Sequence, residues 1–206
     1  MIRHIVFDMG NVLIPFQPEA YIRLYTDDPG DQALLLAELF GSVEWVQGDR
    51  GILTPQEAAQ SVCRRLPEHL HQAVRQMYQN WHEYLRPPFA DMEALARDLK
   101  AAGYNLYLLS NTSKAFHHFR KNIPALDCFD GTLISADVGL LKPNEEIFRL
   151  FCRKFDLLPQ ECYFIDDSPA NVESALWVGM SGFIYRRDTP RLRLALREAG
   201  VEVPTA

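Results

Sequence analysis

Ile5-Val6-Phe7-Asp8-Met9-Gly10-Asn11-Val12-Leu13 is the stretch that decides the fold. A short apolar run, read as a buried strand, carries one carboxylate to its carboxyl end, and a Gly-Asn turn follows at once. In open α/β sheets that end of the strands is where ligands bind. A charge placed there must be solvated, paired or metal-bound, because an isolated buried carboxylate costs too much. Taken alone, Asp8 reads more simply as a helix cap or turn residue. Its meaning depends on partners far along the chain.

Four later segments, 105–109, 131–134, 162–165 and 182–185, repeat the short apolar pattern, each bounded by Gly, Asp, Asn or Ser. Helical spacing fills the intervals. The helix over 90–102 stops at Gly103. Asn144 starts another after Lys142-Pro143. Ser168, with Pro169 at the first helical position, caps a third that ends at Gly179. Strands alternating with helices predict an α/β domain with a mostly parallel sheet.

The alternation breaks between Pro15 and Pro88, where no convincing strand occurs. Helices are expected over 18–25, 31–40, 54–66 and 69–84, the third opened by the capping box Thr54-Pro55-Gln56-Glu57. Arg86-Pro87-Pro88 cannot continue a helix and marks the return to the core. The expected division is therefore a core of 1–14 and 88–206 with a helical insertion of 15–87. Such an insertion sits over the sheet's carboxyl end, either as structural decoration or as a substrate-selecting lid. Its position favours the lid.

Composition bounds the function classes. A chain of 206 residues with 48% hydrophobic content builds one globular unit or a core plus a modest insertion. The formal net charge of −6 argues against nucleic acid or an anionic membrane as partner. Cys63, Cys128, Cys152 and Cys162 form no C-x-x-C pair and no zinc spacing, so they read as buried thiols of a reducing compartment. The N-terminus meets Asp8 too early for a secretory signal, and no apolar run suffices to span a bilayer. A cytoplasmic location is expected.

Three later segments end apolar strands with polar chemistry. Leu108-Leu109-Ser110-Asn111-Thr112 delivers a hydroxyl just before an expected helix. Leu141-Lys142-Pro143 places an ammonium on a stiff stem. Phe164-Ile165-Asp166-Asp167-Ser168 delivers two adjacent carboxylates. Each has a plain explanation by itself: a cap, a surface lysine, a solvated acid pair. At successive parallel strand ends they converge on one crevice, which chance explains poorly.

In that order, Asp8, Ser110, Lys142 and Asp166-Asp167 resemble the four motifs of the haloacid dehalogenase-like superfamily of hydrolases, mostly phosphatases. The resemblance runs nearly end to end. The Asp-x-Gly-Asn-Val opening and the Leu-Ser-Asn-Thr second motif are most similar to a bacterial branch that includes α-D-glucose-1-phosphate phosphatase. The resemblance implies a Rossmann-like parallel-sheet core with a helical cap of the first type (C1) inserted after the first strand. It also implies Asp8 as nucleophile, giving an aspartyl-phosphate. Mg²⁺ would be held by Asp8, the backbone carbonyl of Gly10 and Asp167, with Asp166 completing or supporting that shell. Ser110 and the backbone N–H at Asn111, at an expected helix start, would hold phosphoryl oxygens. Lys142 would balance the charge of Asp8 and the phosphate. Asn171 is similar to the family's metal-supporting polar residue, or is a plain first-turn residue.

One departure matters. Most phosphatases of this superfamily carry a second Asp two residues after the nucleophile, as acid and base; here that residue is Gly10. General acid–base help is worth about 10²–10⁴-fold. The outcome that the branch resemblance favours is a substrate with a good leaving group, such as an anomeric sugar oxygen or an acyl phosphate. Alternatively Glu44, Asp49 or His82 of the insertion supplies the proton, although each also reads as a surface residue. A third outcome is poor catalysis with retained binding.

The expectation is a Mg²⁺-dependent phosphatase of a small phosphorylated metabolite, with a sugar phosphate leading, as a monomer or homodimer. A 2-haloacid dehalogenase also lacks the second Asp, but it needs no metal and does not match Asp166-Asp167. A non-catalytic phosphometabolite-binding protein has no need of a nucleophile, and a sugar-phosphate mutase calls for the missing acid/base. Trp45, Arg50 and Trp81 are candidates for substrate selection, although the two tryptophans read more simply as packing and Arg50 as an ordinary surface residue.

Overall fold

The computed structural model describes residues 1–84 and 86–204. Five strands, β1 (His4–Phe7), β2 (Asn105–Ser110), β3 (Gly131–Ile134), β4 (Cys162–Asp166) and β5 (Ser181–Ile184), form one sheet in the order β3-β2-β1-β4-β5. Every neighbouring pair is parallel. The five expected strands are all present, with ends moved by at most one residue.

After β1 the chain enters a helical segment: α1 (Pro18–Ile22), α2 (Pro29–Leu35), α3 (Val43–Asp49), α4 (Pro55–Cys63) and α5 (His71–Asn80). It leaves and returns side by side, since the Phe89 N–H donates to the Leu13 carbonyl at 2.9 Å. The capping box at α4 forms as expected, with Thr54 and Glu57 exchanging hydrogen bonds. Several expected boundaries shift. The first helix stops at Ile22, short of Tyr25. The second begins at Pro29, because the Asp28 carboxylate accepts from the Asp31 N–H, and it widens into a π-helical turn over Leu36–Phe40. Helix α3 was not expected; Ser42 starts it by accepting from the Trp45 N–H at 3.1 Å. The stretch expected as one helix over 69–84 is α5 between two 3₁₀ turns, Glu68–Leu70 and Trp81–Tyr84.

The remaining helices are α6 (Ala90–Ala101), α7 (Phe116–Phe119), α8 (Ser135–Val138), α9 (Glu145–Phe155), α10 (Pro169–Val178) and α11 (Thr189–Glu198). Gly179 closes α10 with a left-handed φ of 99°, which costs glycine little. Ser168 precedes α10 but its hydroxyl caps nothing, contrary to expectation. Its backbone N–H is instead drawn to the Asp166 carboxylate.

Both sheet faces are covered, as parallel sheets require. Ile5, Phe7, Leu106, Leu108, Tyr163 and Ile165 point into a core shared with α6 and α11. Val6, Tyr107, Leu109, Cys162 and Phe164 alternate onto the opposite face, against α9 and α10. The helical segment packs around its own apolar cluster, including Tyr21, Leu35, Val62, Val74 and Met77. Of the cysteines, Cys63, Cys152 and Cys162 are buried, and Cys128 is only half-buried. Among the described residues, no helix is long and apolar enough to cross a membrane.

Candidate active site

Register fixes where the site lies. Phe7 pairs with Leu108 of β2 on one side and Ile165 of β4 on the other. The next residues along these strands, Asp8, Leu109-Ser110 and Asp166, therefore share one edge of the sheet. The short apolar runs end there because each meets a polar residue that only a crevice can accommodate.

Lys142 joins the ends of the three middle strands, β2, β1 and β4. Its ammonium donates to Asp8 Oδ1 at 2.8 Å, to Asp166 Oδ2 at 2.6 Å and to the Leu109 carbonyl at 2.9 Å. All three donors of the group are thus used. The Lys142 side chain is 1% exposed and that of Asp166 is 0% exposed, so this is a buried charge cluster. Burial by itself would depress the Lys142 pKa, but the two carboxylates outweigh it and the net shift is upward. For Asp8, burial raises the carboxyl, Lys142 draws it down and Asp166 pushes it up, leaving it at about 6.

Asp166 is a hub. Besides Lys142, its oxygens accept from the Ser168 N–H at 2.8 Å and from the Asn171 amide at 3.0 and 3.1 Å. Asn171 is accordingly more than a first-turn helix residue: it fixes the carboxylate that fixes Lys142. Asp167, half-buried, takes the Asn11 amide on Oδ2 at 3.0 Å. Asn11 stands at φ 54°, a left-handed conformation that Asn tolerates better than most residues. Its carbonyl oxygen accepts from the Phe16 N–H, so one side chain links the turn after β1 to the turn after β4. Sequence reasoning missed this role; the Gly-Asn turn was the only signal.

Ser110 is buried at the last position of β2. The expected helix start at Asn111 does not occur, since residues 111–113 are irregular and α7 begins only at Phe116. The physical reason is a long-range clamp. The Asn111 amide donates to the Lys142 carbonyl at 2.8 Å and its oxygen accepts from the Lys142 N–H at 2.9 Å. The Thr112 N–H goes to Ser135 Oγ. These bonds hold the end of β2, with Ser110, beside Lys142, which does not end a strand as expected: β3 stops at Ile134, α8 follows it, and Lys142 lies in the loop before α9.

The three proposed proton donors separate clearly, and none is a plain surface residue. Glu44 is 5% exposed and lies between Arg65, at 2.7 and 2.8 Å, and Ser61. Hydrogen bonding from Arg65 holds its carboxyl at about 2, so it is an anion of the helical segment's interior. His82 is half-buried against Phe119, and desolvation lowers its pKa. Asp49, at the end of α3, is half-buried, and desolvation raises it to about 7 against the pull of the Ser113 N–H and the Trp45 indole. Its carbonyl accepts from Ser135 Oγ at 2.5 Å, which ties α3 to the core. Trp45 and Trp81 lie in one aromatic cluster with rings 5.8 Å apart, and Arg50 is exposed.

Carboxylate oxygens of Asp8, Asp166 and Asp167 lie within 4.8 Å of one another. Three acids beside one ammonium leave two negative charges uncompensated, in a donor set made only of hard oxygen. That chemistry fits a divalent cation such as Mg²⁺, which prefers oxygen ligands.

A parallel α/β fold with an acidic cluster and a lysine at the strand ends defines a class of hydrolases. Residues 2–179 match the haloacid dehalogenase-like hydrolase family, and the chain belongs to it. It is 30% identical to a sesquiterpene phosphatase of Aspergillus oryzae over 94% of each chain. It is 24% identical to a D-ribitol-5-phosphate phosphatase of Bacteroides thetaiotaomicron, covering 89% of this chain and 91% of that protein. Among solved structures, a magnesium complex of a family enzyme from Bacteroides thetaiotaomicron superposes with a TM-score of 0.71 at 24% identity, over 90% of this chain and 93% of that one.

Proposed function

We propose that this hydrolase cleaves a small phosphomonoester in two steps through Asp8, with Mg²⁺ as cofactor. The observation that carries the reading is the Lys142 ammonium bridging Asp8 and Asp166 next to Asp167. Asp8, the Gly10 carbonyl and Asp167 would hold the ion. Asp166, whose oxygens already serve Lys142, Asn171 and Ser168, supports the shell from behind. Bound there, Mg²⁺ supplies the positive charge that lets a carboxylate meet a phosphate dianion.

The chain's own residues do the rest. Asp8 Oδ attacks phosphorus, the bond to the ester oxygen breaks, and the aspartyl-phosphate forms. Lys142 keeps Asp8 oriented and partly neutralised during the approach. Ser110 and the Asn111 N–H bind phosphoryl oxygens at the end of β2. Water then attacks phosphorus, releasing inorganic phosphate and restoring the carboxylate. Gly10 offers no carboxyl for the departing alcohol, so esters of more acidic alcohols react faster. We read residues 15–87 as the cap and 1–14 with 88–206 as the core.

Two substrate classes are supported from different directions. The first-motif resemblance favours a sugar phosphate, and one relative is named for ribitol 5-phosphate. Another is named for a sesquiterpene. A dehalogenase reading is weaker, because the surplus negative charge at Asp8, Asp166 and Asp167 repels a haloacid's carboxylate. The test is a phosphomonoester panel with Mg²⁺ or EDTA, for wild type and Asp8→Asn. Turnover should require both Mg²⁺ and Asp8, with the variant still folded. Chloride release from 2-chloropropionate in EDTA would replace this reading with the dehalogenase; binding without any turnover would replace it with a phosphometabolite-binding protein.

A further inference from the structure

The wall beside Gly10 is apolar. A Cβ built on Gly10 would stand 3.8 Å from the Phe16 Cβ, so Phe16 flanks the position where an acid/base would act. Phe16 is also fastened to the acidic cluster, since its N–H binds Asn11, whose amide binds Asp167. Phe16 also lines a recess of about 370 Å³ between the start of the helical segment and its return, with Tyr21, Leu24, Phe40, Trp81 and Tyr84 on its walls. That volume is within the range of small-ligand sites.

Two features of the recess select its occupant. Apart from hydroxyl and indole groups of the aromatic residues, only Gln17 and Arg86 among the lining side chains are polar. The Tyr21 hydroxyl is already engaged, with Tyr25 at 3.2 Å and the Met77 carbonyl at 3.4 Å. A polyhydroxylated ligand would bury hydroxyls with few partners, which is unfavourable. Conversely, Phe16, Leu24 and Tyr84 are 37%, 59% and 49% exposed on one recess, and such a grouping marks a binding surface for apolar matter.

Resting on the phosphatase reading, we propose that this recess receives the hydrocarbon half of the substrate, so that the preferred ester is the monophosphate of an apolar alcohol. The phosphoryl group lies at Asp8 and the chain or ring runs past Gly10 along Phe16.

The test pairs esters of matched leaving groups. Geranyl phosphate and glucose 6-phosphate are both primary-alcohol esters; 2-naphthyl and phenyl phosphate are both aryl esters. The apolar or larger member of each pair should have a kcat/KM higher by at least about tenfold, the lower end of what a hydrophobic contact discriminates. Leu24→Glu puts a charge on an already exposed wall position, and should lower the geranyl phosphate to acetyl phosphate ratio of kcat/KM by about tenfold or more. Phe16→Ala should move the ratio the same way. Preference for glucose 6-phosphate, or ratios unmoved by both variants, overturns the proposal and leaves the phosphatase reading intact. Oligomer dissociation in Leu24→Glu with unchanged ratios would assign the recess to a second copy of the chain. No turnover of any ester or of acetyl phosphate would overturn both readings.

Discussion

Replacing Lys142 by methionine should destabilise the protein more in EDTA than in Mg²⁺, and more at pH 8 than at pH 5. Methionine keeps an unbranched side chain of similar bulk, so little cavity is created and the lost charge dominates. The ammonium makes three hydrogen bonds of 2.6 to 2.9 Å to Asp166, Asp8 and the Leu109 carbonyl. Its removal leaves two carboxylates buried against each other. Breaking a buried pair by deleting one partner costs about 3–5 kcal/mol. For a chain of this length, each kcal/mol moves Tm by about 2–4 °C, so a fall of roughly 6–20 °C is expected. Asp8 already stands at about 6, above its ordinary 3.8, and without Lys142 it rises further. A folded-state pKa above the unfolded one makes stability decline as pH increases through it, so the deficit is largest at alkaline pH. Mg²⁺ should restore part of the loss by replacing the missing positive charge. Calorimetric unfolding in EDTA at pH 5 and 8, then with Mg²⁺, reads all three effects. A Tm within about 2 °C of wild type in EDTA at pH 8 would refute the buried-charge argument.

Gly10→Asp should fit, because the Cβ meets only Phe16 at ordinary van der Waals distance. Esters of weakly acidic alcohols should then turn over faster, by about 10²-fold at the low end of acid–base catalysis, while aryl esters change less; a plot of rate against leaving-group pKa checks the flattened slope. Asp49 is raised from 3.8 to about 7, so its share of stability is full below pH 4 and is lost as pH climbs through 7. Asp49→Asn should therefore be more stable than wild type at pH 8, by roughly 2–4 kcal/mol, and no more stable near pH 4, as urea unfolding at both pH values would show.

The sheet was readable because its three middle strands are short, apolar on both faces and stopped by a polar residue. Asp8 and Asp166-Asp167 were readable for the same reason, being the residues at those stops; Lys142, in the loop between α8 and α9, was marked instead by the Lys-Pro pair before a helix start. What holds them was not. The Asn11–Asp167 bond spans 156 positions and the Asn111–Lys142 clamp spans 31, and neither leaves a local pattern. The clamp also explains the missing helix at Asn111, whose side chain is committed to the loop before α9. Helix α3 escaped notice because Val43 and Val46 face solvent, so it lacks an apolar stripe. Glu44 looked like a surface acid until Arg65, 21 residues away, appeared beside it.

The phosphoryl acceptor itself can be trapped. Wild-type protein mixed with acetyl phosphate and Mg²⁺, quenched in acid within milliseconds and reduced with borohydride, should yield a peptide in which Asp8 has become homoserine. EDTA and Asp8→Asn should each abolish that product. Modification of any other residue, or burst release of phosphate with Asp8 unmodified, would contradict the account.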